Sequence, residues 1–315
     1  MQVTRWTDTK KENIDDALLG LTTHDGDTLK GTRVQWTNLN TTKIVNENQE
    51  MQVDNRRILF NIVTYSYDQI IENDALSVED RTSRRSGKII VYYEDEQSVK
   101  YIINRNSDAQ KVLRFLLGYS SKNEVVWDQP VLDTDMFDWL IKKIYSKENN
   151  IELENNEVNL SIDNLVGFKG HPADEGKIVS VVSTEGTTVM NILSTLSFLL
   201  ESEEVKQIEF NTSYGNHENI KLLLAKRVLG SDMTKYEGVF DDEQNDASVK
   251  EAKVYLLCYL KILPGIIQSY ELAKDGVDND DVDGDSWSKD IHAKFLREVA
   301  NDLQGKIDLR LKQIE

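Results

Sequence analysis

Apolar and polar residues alternate in short runs through much of the first hundred positions, and the runs are rich in Val, Ile, Tyr and Thr. "TRVQW" (32–36), "MQVDNRRILFNIVTYSY" (51–67) and "KIIVYYEDEQSVKYIIN" (88–104) carry this pattern, which suits strands on a pleated, half-buried surface. The last run predicts a hairpin with arms 88–93 and 99–103 around the polar "EDEQS". "HDGD" at 24–27 marks a further turn.

The period then changes. "SDAQKVLRFLLGY" (107–119) opens with Ser107 and has Gln110 three residues later, a capping-box spacing. Val112, Leu113, Leu116 and Leu117 form its apolar face, and Gly118 can close it. "DTDMFDWLIKKIYSKEN" (133–149) repeats helical spacing with Phe137, Leu140, Ile141 and Ile144. Residues 1–150 therefore read as an α+β domain, a mostly antiparallel sheet followed by two helices.

Residues 151–245 read as a second α+β domain. Strands are predicted at "VNLSIDNLVGF" and "KIVSVVST", a helix at "TTVMNILSTLSFLLESEE", and a hairpin turning at "YGNHEN". Residues 246–315 read as a long helical hairpin with an acidic loop. One arm is the apolar "VYLLCYLKIL", broken or kinked at Pro264-Gly265. The other places Trp287, Ile291, Phe295, Val299, Leu303, Ile307 and Ile314 on one stripe. The predicted fold class is thus α+β: two mixed sheet-and-helix units followed by a C-terminal helical hairpin, whose apolar face calls for a packing partner.

Charge narrows the functional classes. The chain of 315 residues has a formal net charge of −18, which argues against a dominant contact with a phosphate backbone. Residues 232–290 hold fifteen acids against six bases, half of that net charge. The single cysteine, Cys258, sits in an apolar run, where a thiol behaves as a small buried hydrophobe. That usage, with no secretory leader in the opening residues, leads us to expect a cytoplasmic protein. The abundance of Asn, Asp, Lys, Glu and Ile suggests a bacterial source.

Two stretches invite chemistry. Laid on "NDDVDGDSWSKD", the twelve-residue calcium loop puts Asn279, Asp281 and Asp283 at positions 1, 3 and 5, Gly284 at 6 and Asp290 at 12. It departs from the motif in Asn279 for Asp, Asp290 for a bidentate Glu, and Ser286 at the usual aliphatic position. A solvated acidic connector, or a docking strip for a basic partner, competes with it. "EDRTSRRSGK" gathers Arg81, Arg84, Arg85 and Lys88 in what reads as a loop before a strand, a candidate phosphate or nucleic-acid contact. "GFKGHPADEGK" fails the phosphate-loop spacing. Asp174, Glu204 and Lys206 are candidates for a Mg²⁺-dependent nuclease of the Asp…Glu-x-Lys type.

The leading expectation is a cytoplasmic bacterial binding or regulatory subunit of a multi-protein complex, in a phage-defence or mobile-element setting. It would need no cofactor and would meet a protein partner or its own copy through the helical tail. Two alternatives stand beside it: a metal-dependent enzyme acting on nucleic acid, using Mg²⁺, and an acidic mimic that occupies a nucleic-acid-binding partner.

Overall fold

A computed structural model describes residues 1–31, 33–73, 75–94, 97–105, 107–151, 153, 159–172, 179–182, 193–241, 246–275 and 287–314. The chain forms two compact units, and each gathers separated stretches of sequence: Met1–Pro130 with Glu243–Leu257, and Val131–Asp242 with Cys258–Glu315.

The first unit is built on β1 (Gln2–Asp8), β2 (Leu29–Gly31), β3 (Val34–Lys43), β4 (Gln49–Val53), β5 (Arg56–Ile71), β6 (Thr82–Glu94), β7 (Lys100–Ile103) and β8 (Val125–Trp127). Its antiparallel order runs β8-β1-β7-β6-β5-β3-β2, with β4 also on β5. The predicted hairpin of β6 and β7 forms, with Ile89 opposite Ile103 and Tyr92 opposite Lys100. β4 and β5 meet at Asp54-Asn55, where Asp54 takes φ +53°.

Three helices belong to this unit: α1 (Ile14–Thr22), α2 (Ala109–Leu116) and α5 (Ala247–Leu257). Asn13 caps α1 by accepting the Asp16 N–H, and Ile14, Ala17, Leu18 and Leu21 supply its buried stripe. These side chains join Val112, Leu113 and Leu116 of α2 over Val63, Tyr65, Tyr67, Ile89 and Val91 of the sheet. The capping box expected at Ser107 does not form. Asp108 precedes α2 without a side-chain cap, and Gln110 instead donates to the carbonyls of Lys122 and Val125. On the opposite sheet face Phe60, Ile62, Ile90 and Tyr92 are also buried.

The second unit holds β9 (Asn150–Ile151), β10 (Leu160–Pro172), β11 (Val179–Val182), β12 (Ser202–Tyr214), β13 (His217–Ala225), β14 (Val228–Ser231) and β15 (Glu237–Gly238). The order β11-β10-β12-β13-β14 is again antiparallel, with β9 on β10 and β15 on β13. The hairpin expected at "YGNHEN" is present, with Tyr214 opposite His217. α3 (Thr134–Ser146) packs on β12 and β10. α4 (Leu193–Glu201) and α7 (Lys289–Lys312) pack together, and α6 (Leu263–Asp275) lies on α3 and β9.

The expected two α+β units followed by a long helical hairpin is overturned. Antiparallel sheet dominates the described chain, and the tail is divided instead of folding on itself. α5 belongs to the first unit, tied by Lys88 of β6 to Glu251 and Ser248 and by the Tyr255 hydroxyl to the Met1 carbonyl at 2.6 Å. The segment from Cys258 onward belongs to the second unit. Apolar periodicity shows that a helix needs cover but not which surface supplies it, and here sheets and other helices do. Helix persists through Pro264 because a π-helical turn, Cys258–Ile262, precedes it and leaves the proline in the first turn of α6. A missing N–H costs little there. Gly265 lets α6 approach closely, since a Cβ would stand 2.5 Å from Leu153 Cδ2.

The first unit is anchored by Asp8, a fully buried carboxylate at the end of β1. It accepts hydrogen bonds from the Tyr101 hydroxyl at 2.6 Å, the Tyr119 hydroxyl at 2.9 Å, and the backbone N–H groups of Lys10 and Lys11 at 2.8 and 3.0 Å. Burial, with the Asp8 charge beside them, pushes both phenols well above their ordinary range. Asp8→Ala leaves two phenols and two amides without their acceptor. It is expected to cost about 3–5 kcal/mol, read as a lowered urea midpoint in an equilibrium unfolding curve.

Candidate functional site

The basic run at 81–88 is mostly strand, not loop, because Thr82–Glu94 is β6 and pairs along its length with β5. Strand alternation therefore sends its cations to opposite faces. Arg84 meets Asp68 at 3.4 Å and Ser66 Oγ at 3.2 Å across the ladder. Lys88, on the same face, is taken up by Glu251. Arg85 lies opposite Tyr67 and is exposed. Arg81 precedes the strand and belongs to a different setting, a cleft at the end of the sheet.

That cleft has a volume of about 300 Å³ and is lined by Lys30, Gly31, Arg33, Val34, Gln35, Ile70, Ile71, Glu72 and Arg81. Gly31 and Arg33, where β2 meets β3, line one side, and Ile71, Glu72 and Arg81, where β5 leads to β6, the other. Main-chain bonds tie the rims: Glu72 N–H donates to the Arg33 carbonyl and Ile71 N–H to the Arg81 carbonyl, both at 3.0 Å. Arg33 holds φ +61°, a left-handed backbone uncommon for a side chain of its size. Gly31 is required by packing, since a Cβ there would stand 2.5 Å from Phe115 Cζ. Phe115 stacks on Trp36, and Trp36 on Tyr67 with ring centroids 3.8 Å apart, so the β2–β3 hairpin rests on an aromatic column. Among the described residues three cations, one acid (Glu72) and three apolar side chains (Val34, Ile70 and Ile71) thus line the cleft. Sequence reasoning found Arg81 and missed Lys30 and Arg33. Their signal was "KGTR", two cations astride a glycine-containing turn.

A second surface lies on α7. Its stripe starts packed: Phe295 is 2% exposed and Val299 is fully buried. It then runs into the open, with Ile307 39%, Leu311 55% and Ile314 71% exposed. The packed half is seated by Phe295 edge-on to Tyr145, ring centroids 5.6 Å apart, and by His292 Nε2 at 3.8 Å from Asp138 of α3. Ser288 caps the helix through the Ile291 N–H. Of the proposed calcium ligands, Asp290 lies in the first turn of α7, while Asn279, Asp281 and Asp283 lie outside the described residues.

The remaining candidates are local pairs. Lys206 stands 3.6 Å from Glu204 on β12, and Asp174 lies outside the described residues. The Tyr236 hydroxyl and His217 Nδ1 share a hydrogen bond at 2.7 Å, and the hydroxyl accepts the Phe240 N–H at 3.1 Å. Burial lowers the His217 pKa, which favours its neutral form, and raises Tyr236 to about 12. Burial also pushes the Cys258 thiol up, which removes its nucleophilic form. Among the described residues no three His, Cys, Asp or Glu side chains gather as a metal site, and no helix is long and apolar enough to cross a membrane.

The seat of α7 is sensitive to pH. Burial, helped by Asp135, raises Asp138 to about 7, and burial lowers His292. Between about pH 4 and 7 the unfolded chain releases the Asp138 proton while the folded one keeps it, so this group costs stability as pH rises. His292 acts oppositely, its cost growing as pH falls below its unfolded value. Asp138→Asn removes the first trend alone. The variant is expected to gain on the parent by about 2–4 kcal/mol as pH rises through that window, seen as diverging melting temperatures in a pH series.

No protein-family model matches the chain, and no curated protein matches it in sequence.

Proposed function

We propose that the protein is a non-catalytic binding subunit that assembles through the projecting end of α7, with a second copy of itself as the partner. The observation that carries this reading is the apolar stripe of α7, buried at Phe295 and Val299 and, among the described residues, exposed at Ile307 and Leu311. A helix that ended with its own fold would turn polar there, because exposed leucine and isoleucine gain nothing from water.

Charge favours a homotypic contact at this place. The whole chain carries −18, so most faces of two copies repel each other. The end of α7 is different. Asp302 and Asp308 alternate with Lys306, Arg310 and Lys312, and Lys306 already meets Asp302 at 3.3 Å. Two such segments can lie side by side with opposite charges matched and Ile307, Leu311 and Ile314 between them. The setting proposed with this is the bacterial cytoplasm, supported by the composition and the single buried cysteine.

Sedimentation equilibrium tests the reading. The parent protein is expected to self-associate at about 10–100 µM. The double variant Ile307→Asp, Leu311→Asp is expected to be monomeric with an unchanged melting temperature, because both side chains are exposed in the single chain. A parent protein that stays monomeric across this range overturns the homotypic reading.

A further inference from the structure

We infer that the cleft between the β2–β3 turn and the β5–β6 connection is a binding site for a small organic anion, a phosphate or carboxylate joined to a compact apolar group. This surface is separate from the end of α7 and does not depend on the proposed assembly.

Position and composition carry the inference. Lys30, Arg33 and Arg81 converge on one concavity in a molecule with eighteen more acids than bases. Elsewhere in the basic run Arg84 is matched to Asp68 and Lys88 to Glu251. Among the described residues Glu72 is the single acidic one lining the cleft, and neither Lys30 nor Arg33 lies within ion-pair distance of a described carboxylate. A lysine on an edge strand such as β2 often serves only to block sheet-to-sheet pairing. That role accounts for Lys30. It does not account for Arg33, which lines the cleft in a left-handed conformation.

The rims are also preformed. The two main-chain hydrogen bonds at 3.0 Å fix the strand ends, and the Phe115–Trp36–Tyr67 column supports the hairpin from beneath. Little ordering entropy is then left for a ligand to overcome. Arginine and lysine together recognise planar or tetrahedral oxyanions, while Val34, Ile70 and Ile71 offer contact to an apolar group. The volume of about 300 Å³ is at the small end of ligand sites. A polynucleotide would carry many phosphates past the acidic remainder of the surface, so the net charge selects a small anion.

Isothermal titration calorimetry at low ionic strength tests this with four probes: phenyl phosphate, benzoate, neutral benzyl alcohol and a short single-stranded oligonucleotide. The test variant is Lys30→Gln, Arg33→Asn, since asparagine tolerates the left-handed backbone and both positions are exposed. Saturable binding of phenyl phosphate or benzoate is expected, weakened at least about tenfold in the variant and by added salt. The two anions separate the phosphate source from the carboxylate source. The proposal is overturned if neither anion binds, if the variant binds as the parent does, or if benzyl alcohol binds as well as the anions. It is also overturned if the oligonucleotide outcompetes the small anions. An unchanged melting temperature in the variant confirms that lost binding is not lost folding.

Discussion

Thirteen consecutive cross-strand pairs join β5 to β6, from Ile58 opposite Glu94 to Ile70 opposite Thr82. The first unit depends on this ladder. Its middle is buried on both faces: Val63, Tyr65, Ile89 and Val91 point toward α1 and α2, while Phe60, Ile62, Ile90 and Tyr92 are buried on the other side. A two-residue period fixes which side chain meets which face, so a slip of one residue would exchange the two buried faces and part Lys88 from Glu251. The same register carries Lys88 to Glu251 and Ser248, tying the late helix α5 to a strand about 160 positions earlier. It also ends the ladder where Ile70, Ile71 and Arg81 complete the basic cleft. Core, long-range tie and candidate ligand site are thus three consequences of one pairing.

Much of this was legible in the chain. The β6–β7 hairpin, α2, α3 and the β12–β13 hairpin follow from period and turn chemistry, which act over a few residues. α1 was equally legible and was missed. Asn13 is a good cap, Asp15 and Asp16 favour the first turn, and Ile14, Ala17, Leu18 and Leu21 recur at helical spacing. The surrounding β-rich runs masked it. "MQVDNRRILF" read as one strand but breaks at Asp54-Asn55, a two-residue hairpin turn with positive φ at Asp54. Ser107 failed as a cap because Gln110, the other half of the box, found the carbonyls of Lys122 and Val125.

What the sequence could not show was which distant surface each apolar face would cover. The tail has the composition of a helical hairpin, yet Glu251 and Tyr255 are claimed by the first unit and Gly265, Tyr270 and Phe295 by the second. Local pattern gives the demand for burial, and partner choice comes from shape and charge contributed by residues far away. The basic cleft was half legible for the same reason. Arg81 stood in an obvious cluster, but the residues that make it a site, Lys30 and Arg33, lie some fifty positions earlier and arrive through β3 pairing with β5. The conspicuous neighbours Arg84 and Lys88 were drawn into ion pairs by that same sheet.

The two surfaces that remain uncommitted differ in what holds them in place. The cleft sits on paired strand ends and an aromatic column, which hold the backbone that carries its cations. The end of α7 depends on a seat whose central polar contact, Asp138 beside His292, joins a carboxyl that ionises late to an imidazole that protonates late. Near neutral pH a small change alters the charge of that seat, while Phe295 against Tyr145 and the burial of Val299 keep the helix packed. Apolar contacts thus supply the attachment of α7 and titratable ones its adjustment. The titratable pair therefore changes the charge at the seat of α7, while the apolar contacts of Phe295 and Val299 do not titrate.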